Sequence, residues 1–437
     1  MTPLKLVFSV ISIIALLVVS GCSDDNESPV NSTPTTSKVR VIHSSYDAPA
    51  VDIRVDGQVA ISNLAYGESS GYADVPTGTW NIQVTPTGAS TPVVIEADLP
   101  IEANKEYSII AVGDLASITP VVVEDNRSSN SSKAKLRFLH ASPDAPVVDI
   151  KLDRGTGPAV FSNQKFKDFT PYTEVDAGSY TFVVTPSGSS DEVFVFNPIT
   201  VENGKVYTVI AQGTLSNKDN ITFTARLFVD NNDGKASVDL VAATANVLVT
   251  HASPDAQGVD LLVDGIVVNN QPLNYPDNTG YLTINAGTRN IKVNPSGSAA
   301  SVIDANLTLE ANKNYSVFAV DIVSNITSLV LEDDLTAPAA GKAHVRFIHL
   351  SPDAPAVDIT LTDGTVVFGN KAFKEFTDLT PLNAGNYDLQ VRAAGTSAVV
   401  LNLPTIALQD GKIYTVFAKG FLSGGSQSLG AEIILKN

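Results

Sequence analysis

One eleven-residue motif recurs four times along the chain, and this repetition constrains the fold more than any other feature. The motif reads HSSYDAPAVDI from His43, HASPDAPVVDI from His140, HASPDAQGVDL from His251 and HLSPDAPAVDI from His349. The histidines are 97, 111 and 98 residues apart, so each repeat is a whole domain rather than a solenoid unit of about 20–50 residues. An enzyme rarely needs four copies of its active site, whereas a fold that occurs four times needs four copies of what stabilises it.

A second motif, Lys-x-Tyr-[Ser/Thr], follows each histidine by 64 to 67 residues and keeps the same register. Its tyrosines are Tyr107, Tyr207, Tyr315 and Tyr414. We expect each to form a tyrosine corner, in which the hydroxyl bonds the backbone a few residues upstream. The two motifs together predict four domains, at residues 38–126, 134–233, 235–334 and 342–437.

Apolar residues within each repeat alternate with a period of two. In the stretch VDIRVDGQVAI, Val51, Ile53 and Val55 share one face, Asp52 and Arg54 share the other, and an Asp-Gly pair supplies a hairpin turn. No amphipathic helical pattern follows the N-terminal segment. We therefore predict an all-β protein of tandem antiparallel β-sandwich domains, immunoglobulin-like or transthyretin-like.

The N-terminal segment predicts export and anchoring. An apolar run from about Leu6 to Val19 reads as a signal peptide over residues 1–21. The ending Val-Ser-Gly-Cys resembles a bacterial lipobox, and the resemblance implies cleavage before Cys22 and lipidation of that residue. Residues 22–37 are polar and are expected to form a disordered tether. The expected location is extracytoplasmic, anchored by lipid to the bacterial cell envelope, and to the outer membrane in a Gram-negative host.

The charge of the chain restricts its partners. The formal net charge is −18, which argues against nucleic-acid binding because that depends on Lys and Arg neutralising phosphates. The remaining partners are the membrane, through the lipid, and a surface polysaccharide or protein ligand. Cys22 is the single cysteine in the sequence, so neither an intramolecular disulfide nor a cysteine-based zinc site is expected.

The repeated motif contains histidine, serine and aspartate, the residue types of a hydrolase triad. Leu136, Phe138 and His140 share one strand face and Arg137 lies on the other, so we expect a core histidine, hydrogen-bonded by backbone or by a nearby aspartate, followed by a turn. No Gly-x-Ser-x-Gly accompanies the motif, and no catalytic residue is predicted. The motif residues predicted to be structural are His43, Asp47, Asp52, His140, Asp144, Asp149, His251, Asp255, Asp260, His349, Asp353 and Asp358.

Acidic residues cluster at the three junctions between repeats. The candidate calcium ligands are Asp125, Asp230, Asp233, Asp333 and Asp334, because calcium prefers oxygen ligands and would stiffen a tandem array. The competing interpretation is that these acids form solvated turns while Asp149 pairs with Arg137. No other cofactor is predicted, since one histidine per repeat falls short of a zinc site.

The motif, the Asp-Gly hairpin and the Lys-x-Tyr strand together resemble the domain-of-unknown-function 4397 family, over nearly all of residues 38–437. The resemblance implies a secreted or surface-attached bacterial protein with tandem modules, and it implies no established activity and no catalytic residues. The third repeat departs most from the pattern, at Leu248, Gln257, Gly258 and Arg289 and by about a dozen extra residues before His251.

The sequence therefore predicts a lipid-anchored cell-surface protein with a non-enzymatic structural, adhesive or ligand-binding role. The alternative is a carbohydrate- or protein-binding accessory module of an extracellular enzyme system. A Ser/His hydrolase is the third and least favoured reading.

Overall fold

The computed structural model describes residues 35–155, 157–216, 221–425 and 427–437. The predicted signal peptide, Cys22 and nearly all of the predicted tether lie outside these ranges. The described chain consists of β-strands and loops, with two short 3₁₀ turns at Leu115–Ser117 and Val323–Asn325. Within the described ranges no helix has the length and apolar composition needed to cross a membrane.

The first repeat, module 1, is a sandwich of two four-stranded sheets. Its strands are β1 (Thr36–Ser44), β2 (Val51–Val55), β3 (Gln58–Leu64), β4 (Ala73–Pro76), β5 (Gly78–Pro86), β6 (Ile95–Ile101), β7 (Glu106–Val112) and β8 (Thr119–Glu124). One sheet has the order β4-β1-β7-β8 and the other has the order β3-β2-β5-β6. The alternating apolar residues of the two sheets face each other and form the core of the module.

The same topology recurs three times, with two differences. The long β5–β6 ladder of module 1 is divided into two shorter ladders in modules 2 and 4, and one sheet of module 2 has a fifth strand. Module 2 comprises β9 (Ala134–His140), β10 (Val148–Lys151), β11 (Phe161–Gln164), β12 (Thr173–Val175), β13 (Gly178–Tyr180), β14 (Val183–Pro186), β15 (Phe194–Val195), β16 (Ile199–Val201), β17 (Val206–Gln212), β18 (Thr224–Val229) and β19 (Ser237–Leu240). Module 3 comprises β20 (Thr244–Ala252), β21 (Val259–Val263), β22 (Ile266–Val267), β23 (Asn278–Asn285), β24 (Gly287–Pro295), β25 (Ile303–Leu309), β26 (Asn314–Val320) and β27 (Thr327–Asp333). Module 4 comprises β28 (Lys342–His349), β29 (Val357–Leu361), β30 (Val366–Lys371), β31 (Thr380–Asn383), β32 (Gly385–Tyr387), β33 (Leu389–Ala393), β34 (Val399–Asn402), β35 (Ile406–Leu408), β36 (Ile413–Lys419) and β37 (Gly430–Leu435).

The prediction of tandem all-β sandwiches is confirmed, with one feature that the sequence did not indicate. The first strand of each module pairs in parallel with the Lys-x-Tyr strand: β1 with β7, β9 with β17, β20 with β26 and β28 with β36. The other named ladders are antiparallel. A parallel pair needs a long connection, and here most of the module lies between the two strands.

The predicted start of the third domain, at residue 235, is wrong. Strand β19 pairs with β18, so it extends a sheet of module 2. The extra residues before His251 therefore belong to module 2 and to the short linker 241–243, and the sheets of module 3 begin with β20.

The modules pack in two face-to-face pairs. Strand β7 is buried on both faces, because the outer face of its sheet meets the equivalent sheet of module 2. Apolar contacts between modules 1 and 2 include Ile42, Ile110, Leu139, Ile210 and Phe228. Those between modules 3 and 4 include Leu248, Phe318, Ile348, Leu350 and Phe417.

Linker length matches this arrangement. Residues 125–133 and 334–341 connect the modules within a pair, and these longer linkers allow one module to turn and face its partner. Residues 241–243 connect the two pairs. There, a small cluster of Val183, Val195, Ala243 and Ala286 joins module 2 to module 3.

Candidate functional site

The structure places the four motif histidines at the buried end of the first strand of each module. His43, His140, His251 and His349 are 0–1% exposed. Each Nε2 lies 3.0–3.2 Å from the backbone carbonyl oxygen of the residue six positions later. Because a carbonyl only accepts, each Nε2 must carry the proton and donate it.

The other ring nitrogen indicates a neutral imidazole. In modules 1, 3 and 4, Nδ1 accepts a hydrogen bond from the amide of the serine two residues on, at 3.3–3.4 Å. Desolvation by burial lowers the pKa of all four histidines below 6.5, although the carbonyl contact opposes the shift. The rings are therefore uncharged at neutral pH, and those of His43, His251 and His349 bridge two backbone groups.

An aromatic residue packs edge-on against each histidine, a contact that the sequence analysis missed. The ring centroids are 6.1–6.5 Å apart, in the pairs His43–Tyr66, His140–Phe166, His251–Tyr275 and His349–Phe373. The aromatic lies 23 to 26 residues after the histidine in every repeat, and this spacing was the available signal.

The motif serine binds the backbone at the end of the Lys-x-Tyr strand. Ser45, Ser142 and Ser351 donate through Oγ to the carbonyls of Gly113, Gly213 and Gly420 at 2.6–2.8 Å. These glycines have φ between 80° and 95°, a region that disfavours other residues. The hydroxyl thus ties the first strand to the turn that follows its parallel partner.

The first motif aspartate holds the same turn. Its carboxylate accepts hydrogen bonds from backbone amides 68 to 72 residues later, at 2.6–3.0 Å, and these bonds join Asp47 to Leu115, Asp144 to Leu215 and Ser216, Asp255 to Val323, and Asp353 to Leu422 and Ser423. The residues that bind it are exposed or half-buried, so this turn lies at the surface of each module.

The second motif aspartate joins two turns of the other sheet, at the same end of the sandwich as the motif histidine. Asp52 accepts from the amides of Asn63 and Gly88, both at 2.9 Å. Asp149 and Asp358 make the same two contacts in modules 2 and 4, and Asp260 keeps the bond to Gly297. The hydrogen bonds from Gly88 and Asn63 hold the pKa of Asp52 below its ordinary value.

This geometry does not assemble a hydrolase triad. In a triad, the imidazole accepts the serine proton on one nitrogen while an aspartate binds the other. Here Nε2 faces a carbonyl, Nδ1 faces an amide where it is bonded, and the aspartates bind amides of other turns. The motif residues are instead used to hold each sandwich together.

The Lys-x-Tyr tyrosines form the expected corners in three modules. The hydroxyls of Tyr207, Tyr315 and Tyr414 accept hydrogen bonds at 3.1 Å from the amides of residues five positions upstream, which are Glu202, Glu310 and Gln409.

Two buried arginine–aspartate pairs link modules 1 and 2, and sequence reasoning did not place these residues together. Arg40 Nη2 lies 2.7 Å from Asp230 Oδ1, and Arg137 Nη2 lies 2.5 Å from Asp125 Oδ1. Each arginine crosses to the other module, so the two contacts are related by a pseudo-two-fold axis. All four side chains are at most 4% exposed.

Hydroxyl groups complete this network. Within its own module, each aspartate accepts from a tyrosine and from a serine or threonine at 2.6 Å; the donors are Tyr72 and Ser108 for Asp125, and Tyr172 and Thr208 for Asp230. Each arginine Nε donates to the same hydroxyl residue of its own module. Charged groups in a protein interior require such pairing and hydrogen bonding.

Modules 3 and 4 keep one of these ion pairs and change the other. Arg346 Nη1 lies 2.6 Å from Asp333 Oδ1. The second pair is replaced, since Leu248 stands where modules 1, 2 and 4 have arginine and Lys436 stands where the others have aspartate. Lys436 Nζ reaches into module 3, where it contacts Ser316 Oγ and lies 3.4 Å from Asp333 Oδ2.

The candidate calcium ligands do not come together. Asp125, Asp230 and Asp333 are buried in the ion pairs, whereas Asp233 and Asp334 are exposed. No group of three or more His, Cys, Asp or Glu side chains suited to a metal ion occurs in the described ranges. Calcium binding stays an untested prediction that this geometry does not favour. The expected Asp149–Arg137 pair is wrong, because Arg137 pairs with Asp125 and Asp149 binds backbone amides.

A polar cleft of about 440 Å³ opens in module 3. Strand β22 has two residues, so the chain after it leaves the sheet and lines the cleft. The polar lining consists of Asn269, Asn270, Gln271, Asn274, Asp277, Asn278 and Thr279.

The four modules share one fold and one repeated motif that stabilises it. The chain is therefore a tandem array of β-sandwich modules. The family model described as Domain of unknown function (DUF4397) matches residues 37–151, 152–244, 245–360 and 360–434. The chain belongs to this family, as its motifs indicated. No curated protein matches it. Among solved structures, it is similar to "The Bacillus anthracis TIE protein", at 12% identity over 88% of this chain and 68% of that one, with a TM-score of 0.16.

Proposed function

We propose that the protein is a non-enzymatic scaffold of the bacterial cell envelope, in which a lipid anchor at Cys22 holds four paired β-modules outside the membrane. The observation that best supports this proposal is that the repeated histidine, serine and aspartate side chains bind backbone groups of their own module. Residues used in this way stabilise a fold, and the bond from the histidine to a backbone carbonyl recurs in all four modules.

The face-to-face pairs support a rigid scaffold rather than a flexible string. Modules joined only by polar linkers are expected to move relative to each other. Here, buried ion pairs and apolar clusters lie between modules 1 and 2 and between modules 3 and 4. Movement within a pair would expose those charges and apolar side chains.

Anchoring is tested by Cys22→Ala in the native host. We expect this variant to lose lipid labelling and to leave the membrane fraction. Ser28→Ala in the predicted tether is the matched control, which should stay labelled and membrane-bound. Membrane-bound and palmitate-labelled Cys22→Ala protein would contradict the anchor.

The non-enzymatic role is tested by a fluorophosphonate probe for activated serines. We expect no labelling of the folded chain, because each motif serine either donates its proton to a carbonyl or lies beside an aspartate that binds another turn. Labelling that disappears in Ser142→Ala would favour a hydrolase instead.

Ligand binding is a second candidate function, favoured by the cleft in module 3. Amide and carboxylate side chains are suited to hydrogen-bonding the hydroxyls of a carbohydrate, and this cleft presents several of them together. Glycan-array binding by the wild-type chain should fall in Asn270→Ala/Gln271→Ala. The control is Gln58→Ala, an exposed amide in module 1. Equal binding by both variants would remove the cleft from consideration.

A further inference from the structure

Each face-to-face pair brings two positions of one module against the same two positions of its partner. We call these the arginine position (Arg40, Arg137, Leu248, Arg346) and the acid position (Asp125, Asp230, Asp333, Lys436). In modules 1 and 2, the arginine position of each module meets the acid position of the other. In modules 3 and 4, Arg346 meets Asp333, which leaves Leu248 and Lys436 as the second combination.

These residues differ in a correlated way. Module 3 has lost the arginine, and module 4 has lost the acid that this arginine would have met. A tyrosine accompanies the acid in the three modules that have one, since Tyr72, Tyr172 and Tyr281 donate to the aspartates. Module 4, which has no acid, has Leu379 at the position of this tyrosine. The exchange therefore involves three positions and leaves the pair of modules 3 and 4 without an unpaired buried acid.

Other combinations of modules would bury an uncompensated charge. In the native pair, Arg346 and Lys436 share one buried acid, Asp333. If module 4 paired with module 1 or 2, Arg40 or Arg137 would join Arg346 and Lys436, and three cations would share one buried acid. If module 3 paired with module 1 or 2, Leu248 would oppose Asp125 or Asp230, and that carboxylate would lose its cation. A buried charge without a partner strongly disfavours a complex, and such mismatches are how related interfaces reject wrong partners.

We propose that Leu248 and Lys436 are specificity residues that make modules 3 and 4 partners of each other and reject modules 1 and 2. Four similar modules on one chain, or on neighbouring chains at a membrane, could otherwise exchange partners. The interface thus recognises one particular module of the same protein, by the charge at two positions.

Single substitutions in the full chain reproduce each mismatch in place. Leu248→Arg creates the arrangement of module 1 or 2 against module 4, with an arginine facing Lys436. Lys436→Asp creates the arrangement of module 3 against module 1 or 2, with a carboxylate facing Leu248. The double variant Leu248→Arg/Lys436→Asp recreates the arrangement of modules 1 and 2, and Thr415 stands where Ser108 bonds Asp125.

The test is a double-mutant cycle measured by hydrogen exchange in β26 and β36, the strands on either side of the interface. Each single variant should lower the protection factors of the backbone amides in these strands by on the order of 100-fold, as expected for an unpaired buried charge. The protection factors of the double variant should be at least tenfold higher than the values expected if the two single losses of free energy were additive. Leu248→Met and Lys436→Met control for volume and should change protection much less than the charged variants.

Additive losses in the double variant, or full protection in Leu248→Arg, would overturn the proposal. If both single variants fail to fold, folding of the double variant supports the proposal and its failure contradicts it. The reciprocal exchange in modules 1 and 2, Arg40→Leu/Asp230→Lys, provides a second, independent test. The amides of β7 and β17 should be better protected in this double variant than in either of its single variants. Equal or lower protection would count against the proposal.

Discussion

Arg40 Nη2 in module 1 lies 2.7 Å from Asp230 Oδ1 in module 2, and both side chains are fully buried. The residues are 190 positions apart in the chain, and the contact is repeated with the modules exchanged, by Arg137 and Asp125. Burial by itself would lower the pKa of Arg137, but Asp125, together with Tyr172 and Asp230, more than offsets this and raises it. Modules 1 and 2 thus behave as a single unit, because separating them would expose or isolate these charges.

Breaking one of these pairs should destabilise that unit strongly. Asp230→Ala leaves Arg40 buried without a counter-charge and should cost about 3–5 kcal/mol of unfolding free energy in a denaturant titration. Arg40→Met/Asp230→Leu removes both charges and should cost much less. The control is Lys38→Ala, on the same strand as Arg40, which breaks an exposed pair with Asp74 of β4 and should shift the midpoint little. Equal costs for the single and double variants would contradict a paired role.

The motif histidine should contribute to stability without any ligand. His140→Ala removes a buried imidazole that donates to the Pro146 carbonyl and should cost roughly 1–3 kcal/mol, mainly by leaving that carbonyl unsatisfied. Denaturant melts followed by hydrogen exchange in β9 would locate the loss in module 2. An unchanged midpoint would instead indicate a histidine that is kept for binding.

The four histidines should also make stability depend on pH. Burial lowers their pKa in the folded state, so the unfolded chain binds more protons at mildly acidic pH, and stability is lost as pH falls below about 6.5. Aspartates such as Asp52, whose pKa is lowered from 3.8, act in a separate window at lower pH. Thermal melts between pH 7.5 and 5 should show a falling midpoint, and His140→Gln should reduce the slope. A flat profile over this range would contradict neutral core histidines.

Much of each module followed from the sequence, because its determinants are local. Alternation in stretches such as VDIRV defines a strand with one buried face, and the place of His140 after Leu136 and Phe138 put its ring in the interior. The tyrosine corner followed in the same way, since its partner lies five residues upstream.

The pairing of modules did not follow, because the relevant contacts join distant residues. Arg40 and Arg137 lie opposite the core face, a pattern that also fits a solvated surface. The available signal was in the Lys-x-Tyr strands, where runs such as YSIIAV and YTVIA are apolar on both faces. That pattern is typical of strands covered on both sides, and it would have predicted a partner for the outer face. The parallel pairing of β1 with β7 was missed because alternation does not report strand direction.

Small-angle scattering of residues 38–437, in calcium and in chelator, tests the central claim of face-to-face pairs most directly. Four separate modules in line would span about 130 Å, from a radius of gyration near 13 Å for each. For face-to-face pairs we predict a clearly shorter maximum dimension. We also predict identical curves in the two buffers, because Asp125, Asp230 and Asp333 already pair with arginines. A maximum dimension near 130 Å, or one that lengthens with calcium, would contradict it.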